Sequence, residues 1–389
     1  MTLAATLDDR RAALARTILL WGLFALMCAY VLAWLLNPYL KGFEYGFRAD
    51  NFWSYSSGIY RRGIVGEIIY WLDLATGIGP QLFSALLYAA SISVLIAVGR
   101  IVAKEFSLLE LALLGLSPIF WLYGVDAEIF MLLPLVGMLA FPQWWTGGVL
   151  LASIAIAGLV REISFILYSP VLLTMLLQRG LALRLGVLAL VGGFAVLLAT
   201  EPDAPTFFLE NGHWTEHGIA GLAEHGMYQF AAMPFSELLD RHWRLMENGF
   251  ALGVFFWAAV GLFILTYVAE KTGSGLAVLW LLLVYGVCSI LSIDHGRYGY
   301  FYFAFALMIS APAARSYFQM ETLNLPLGQT VGRIMAPVTD MLARSARPLR
   351  IACLFVAVVA PSGLYVGKMV PLPRLAAFAE VALGKLGII

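Results

Sequence analysis

Charge is what this sequence has least of. Only 12% of its 389 residues are Asp, Glu, Lys or Arg, about half the roughly 25% of a soluble domain. No long polar stretch exists to solvate a separate domain, which excludes a soluble enzyme. Net basicity is also lacking, since 24 Lys and Arg balance 24 Asp and Glu, and with it goes the electrostatic argument for nucleic acid. Cysteine is scarce: Cys28, Cys288 and Cys353 each lie inside an apolar run, without the spacing of a disulfide framework or a zinc site. There is no HExxH, no GxSxG elbow, no Walker A and no dinucleotide fingerprint, so hydrolase and ATPase readings lose their usual support.

Apolar sequence takes the place of all this. Hydrophobic residues make up 61% of the chain and the mean hydropathy is +0.86. A spanning helix needs about 17–25 mostly apolar residues, because a rise of about 1.5 Å per residue must cross about 30 Å of hydrocarbon. Clear spans fall near 17–36, 80–99, 107–123, 183–199, 250–268, 275–292 and 351–367, with shorter ones near 128–141, 147–160, 163–178 and 298–311. The fold expected is all-α: a polytopic bundle of about 11 spans (10–13) forming a single integral membrane domain over residues 1–389. The shortest runs reach only about 21–24 Å, as they would if they began in a depression of the membrane surface. The first run exceeds a signal peptide's apolar core and has no cleavage site, so it is expected to be retained.

With the amino terminus inside, Arg100, Lys104, Arg179, Arg184, Lys271, Arg315, Arg333, Arg344, Arg347 and Arg350 fall in cytoplasmic segments, as the positive-inside rule asks. A bacterial inner membrane suits this arrangement. Three connecting segments are long. Residues 37–79 form a first outer loop containing an amphipathic helix, IVGEIIYWLDL, with Ile68, Tyr70 and Trp71 to seat in the interface. Residues 200–249 form a second, holding His213, His217, His225 and His242. His213 and His217 have helical metal-pair spacing, but Gly212 and Gly218 disfavour a helix there. Residues 312–350 are a basic cytoplasmic connection, amphipathic around 329–346 and suited to an anionic leaflet.

The same topology gathers Asp50, Arg61, Arg62, Glu67, Asp126, Glu128, Arg161, Glu162, Asp294, His295 and Arg297 on the outer side, from four separate connections. Ionisable groups at helix ends in an apolar bundle are costly unless they pair or line a wet cavity. Convergence on one face therefore points to a single extracytoplasmic site, although ordinary loop polarity gives the same list. Asp50, with Arg48 before it and Arg61-Arg62 after it, suits a base beside a phosphate-holding guanidinium pair; a structural ion pair is the alternative. Asp126 and Glu128 open a short helix, where they could cap it or hold a divalent cation such as Mg or Mn. Arg161-Glu162 interrupts an apolar run as a turn or a buried pair. Asp294-His295-Gly296-Arg297 supplies an acid, an imidazole, a turn and an anion-binding cation at the start of a helix, or an ion pair closing a loop.

A retained first helix, a long first outer loop carrying the acid of RADNFW, short paired helices, and the proline-marked SPIFWLYGVDAE with its two acids resemble the GT-C superfamily of membrane glycosyltransferases. The resemblance implies a polyprenyl-phosphate sugar as donor, a glycan, lipid or protein as acceptor, and Asp50 as catalytic base. It implies that Arg61, Arg62 and Arg297 hold the phosphate while Asp126, Glu128 and Asp294 orient the sugar or a cation. The first-loop acid here is a single Asp rather than an adjacent pair. A polysaccharide polymerase or ligase would share these features. A transporter or flippase would instead place its polar groups near the midplane and show an internal repeat, and a scaffold would tolerate neutralising the acids.

Overall fold

The computed structural model describes residues 3–41, 63–117, 127–143, 147–160, 163–178, 180–199, 251–291, 295–318, 326–359, 362–365 and 368–370. The described chain is helical apart from one small antiparallel ribbon, β1 (Ser362–Tyr365) with β2 (Lys368–Val370). Among the described residues three helices are long and apolar enough to cross a membrane: α1 (Leu3–Lys41), α3 (Gly79–Glu105) and α10 (Ala251–Thr272). The shorter helices are α2 (Gly63–Thr76), α4 (Leu108–Leu116), α5 (Leu133–Ala140), α6 (Gly147–Val160), α7 (Ile163–Leu167), α8 (Ser169–Gln178), α9 (Leu181–Ala199), α11 (Gly275–Leu291), α12 (His295–Ile309), α13 (Pro312–Phe318), α14 (Pro326–Arg344) and α15 (Ala346–Val359).

Sequence explains which helix sits where. Every residue of α12 from Phe301 to Ile309 is buried, and the stretch FYFAFALMI has no polar side, so this helix must be enclosed by others. It contacts α3, α5, α10, α11 and α13. Phe303 stacks obliquely on Phe263 at 5.8 Å, and Phe305 packs edge-on against Tyr168 and Phe318. By contrast α1 lies at the rim, with Leu14, Ile18 and Trp21 exposed, which is where an apolar helix meets lipid rather than protein.

Four expected spans come out differently. The run 107–123 gives α4, which is capped by Ser107 and closed at Ser117 after nine residues. The run 163–178 divides at Tyr168 into α7 and α8, because Pro170 has no N–H to offer the Ile166 carbonyl. The Ser169 hydroxyl donates to that carbonyl instead, at 2.8 Å, and accepts from Trp280 Nε1 at 3.1 Å. The run 351–367 gives a helix only as far as Val359, ahead of Pro361, and then the ribbon. The run 128–141 begins as a 3₁₀ segment, Ala127–Leu132, before α5. At about 2.0 Å per residue against 1.5 Å, that opening stretches the pair to about 24 Å.

One end of the bundle is tied by charge. Arg350, near the start of α15, is buried between the rings of Phe106 and Tyr267, about 6 Å from each. Its Nε donates to Glu110 at 2.9 Å and its Nη1 pairs with Glu270. Glu110 also closes a capping box on α4, accepting from the Ser107 N–H at 2.8 Å and hydroxyl at 2.6 Å. Lys271 meets Glu105 at 2.5 Å, while Arg16 of α1 donates to the carbonyls of Ala103 and Phe106. Five helix ends expected on one side of the membrane are thus in contact. Replacing Arg350 by Met should lower stability by about 3–5 kcal/mol, because it strands buried carboxylate. Glu270→Gln, at a carboxylate 31% exposed, should cost far less. Thermal unfolding in detergent reads both, and equal effects would refute the arrangement.

Candidate functional site at the opposite bundle end

The other end of the molecule is built from the start of α3, the 3₁₀ segment, the end of α6, the start of α7 and the start of α12. Within α2, Val65, Ile69 and Asp73 are buried at helical spacing, while Ile68 and Trp71 face outward. This is the amphipathic helix expected in the first loop. It lies against α3 and α6. The buried Asp73 carboxylate accepts from the Gly79 N–H at 2.8 Å, capping the first turn of α3, where Pro80 could donate nothing. Gly79 is required by the close approach: a Cβ there would fall 2.5 Å from the Asp73 Cβ and 2.6 Å from the Ile69 carbonyl oxygen.

The 3₁₀ segment packs between α3, α6 and α12. Phe130 contacts Phe83 near the start of α3, at 6.2 Å, and the Tyr168 hydroxyl donates to the Met131 carbonyl at 2.7 Å. Farther round, Phe165 of α7 packs on Phe194 near the end of α9, at 4.1 Å. Tyr285 of α11 donates to the Trp257 carbonyl of α10 at 2.8 Å and packs edge-on against Tyr302 of α12. The Phe130–Phe83 and Phe165–Phe194 contacts join helix ends assigned to the same side.

Glu128 is buried, 1% exposed, in the first turn of the 3₁₀ segment. Glu67 is half-buried on α2 and accepts the Trp71 indole N–H at 2.7 Å, so one of its oxygens serves the helix's own aromatic residue. His295 and Arg297 stand in the opening turn of the enclosed helix α12. Asp50, Arg61, Arg62, Asp126, Arg161, Glu162 and Asp294 lie outside the described residues, as does the histidine-bearing segment 200–249. The arrangement nevertheless fixes neighbours: α6, which leads into Arg161-Glu162, touches both α2 and the 3₁₀ segment, and the latter touches α12. Among the described residues no three His, Cys, Asp or Glu side chains come together as a metal site, and Cys28 and Cys353 are free thiols.

Asp73 and the Glu110–Arg350 pair are not among the residues that type and spacing nominate. The second had a visible signal, since Ser107-x-x-Glu110 ahead of an apolar run is the capping-box signature. The first had none, because its partner is a backbone N–H six residues away. An apolar groove of about 220 Å3 also runs between α10 and α11, lined by Gly261, Leu262, Leu265, Leu281, Leu282 and Tyr285 among others.

Comparison with protein-family models, with curated proteins and with solved structures gives no match.

Tyr168→Phe should cost about 1–2 kcal/mol by leaving the buried Met131 carbonyl without its donor, and should loosen the segment that carries Glu128. Hydrogen exchange across 127–132 in the variant checks this, with faster exchange there than in α3 as the expected result. Gly79→Ala should destabilise the α2–α3 corner, measured as earlier thermal unfolding; a neutral result would contradict the contact.

Proposed function

We propose that the protein is a membrane glycosyltransferase of GT-C type, moving a sugar from a polyprenyl-phosphate donor to an acceptor at the extracytoplasmic face. In this reading the chain crosses a bacterial inner membrane about 11 times with its amino terminus inside. The observation that carries the proposal is the placing of Glu128, His295 and Arg297 in the first turns of two mutually packed elements, beside the helix that leads into Arg161-Glu162. Ionisable residues set into an apolar bundle at such points have a functional role by default, and the first turn of α12 offers backbone N–H groups as well as Arg297 to an anion.

The chemistry is a substitution at the anomeric carbon. The acceptor hydroxyl gives its proton to the Asp50 carboxylate as its oxygen bonds to the sugar, and the bond from that carbon to the phosphate oxygen breaks. Arg61, Arg62 and Arg297 stabilise the departing lipid phosphate as charge develops on it. Glu67, Asp126, Glu128, Arg161, Glu162, Asp294 and His295 complete the wall against the sugar, and a divalent cation on the acids would add charge stabilisation. The lining of the α10–α11 groove suits an isoprenoid tail.

The test is transfer from a radiolabelled polyprenyl-phosphate sugar by the full chain in vesicles. Asp50→Asn should abolish transfer while folding is kept, and full turnover in that variant would remove Asp50 from the base role. Arg297→Lys should weaken donor use about tenfold or more, since a point charge does not reproduce a bidentate fork. Unchanged donor dependence would argue against phosphate binding there.

A further inference from the structure

Helix α14, Pro326–Arg344, is the most amphipathic element described, and it shows three faces rather than two. Thr339 and Leu342 are buried, and with Met335 they face α10 and α11. Gly275, the first residue of α11, approaches so closely that a Cβ there would fall 2.7 Å from the Met335 Cβ and 3.3 Å from the Gly332 carbonyl oxygen. Among the described residues the helix is thereby held against the bundle by this side. A second strip, Ile334, Val338 and Met341, follows the i, i+4, i+7 spacing of a single helix face, and all three residues are exposed, at 68%, 42% and 60%. The third side carries Arg333, Asp340 and Arg344, also exposed, with Arg347 just beyond on α15.

We propose that α14 lies in the plane of the membrane at the charged end of the bundle, its Ile334–Val338–Met341 strip in the acyl-chain boundary and Arg333, Arg344 and Arg347 on anionic phospholipid headgroups. Charge complementarity selects this occupant. An apolar strip edged by guanidinium groups matches a leaflet whose surface is negative and whose interior is apolar. The strip is also continuous in kind with exposed apolar residues on the helices beside it, Leu282 and Leu283 on α11 and Phe355 and Val359 on α15. Pro337 fits the same depth. It offers no N–H to the Arg333 carbonyl, a loss that headgroup water can make good and hydrocarbon cannot.

The experiment places a spin label at Ile334→Cys, Val338→Cys, Met341→Cys and Asp340→Cys, one at a time. The background is the full chain with Cys28, Cys288 and Cys353 replaced by Ala, in phosphatidylcholine vesicles with and without phosphatidylglycerol. The first three labels should relax faster with oxygen than with a water-soluble nickel chelate, and the label at 340 should do the reverse. Equal nickel access at all four would show that the strip faces water and would overturn the proposal. Dipolar broadening between labels on different molecules would give the strip to a second copy of the chain, with the same consequence. Should the cysteine-free background fail to fold, the lipid recovered with the otherwise unsubstituted chain decides the matter. Phosphatidylglycerol should be enriched over phosphatidylcholine, and the exposed triple change Arg333→Gln, Arg344→Gln, Arg347→Gln should reduce that enrichment several-fold. Unchanged enrichment would overturn the assignment of the arginines.

Discussion

A buried guanidinium has to be neutralised, and Arg350 shows how much structure that requirement organises. Held between two aromatic rings and two carboxylates, it obliges α4 to present Glu110 and α10 to present Glu270 at the same depth. Glu110 is itself committed to the cap of α4, so the register of that helix and the approach of α15 are set together. Neighbouring contacts through Lys271, Glu105 and Arg16 extend the constraint to α3 and α1. Such clusters stabilise little in net terms, since desolvation offsets attraction. What they contribute is specificity, because any other arrangement would leave a charge unpaired in an apolar interior.

At the opposite end the described residues add contacts of another kind. Its order comes from aromatic packing around the enclosed helix α12 and from single hydrogen bonds to the backbone, such as Tyr168 to Met131 and Asp73 to Gly79.

Much of this was legible in the sequence, for reasons of length and periodicity. Apolar runs announced α1, α3 and α10, and the stretch IVGEIIYWLDL announced an amphipathic helix with Trp71 outward. The grouping of helix ends also followed from where the Lys and Arg residues lie. Less legible were the features that depend on a partner distant in the chain. Ser169, at the split after Tyr168, is bonded by Trp280, 111 residues away, and Arg350 is 240 residues from Glu110. Of the candidate site, the sequence alone nominates Glu128, His295 and Arg297; that their elements touch is a property of packing, which no periodicity encodes.

The break at Tyr168 carries a mechanical consequence. One side chain serves both of its partners there: the Ser169 hydroxyl gives its proton to the Ile166 carbonyl that Pro170 leaves unmet, and its oxygen receives the Trp280 indole N–H of α11. The bend between α7 and α8 and the approach of α11 therefore cannot be adjusted independently, because a shift that lengthens one of these bonds pulls on the other.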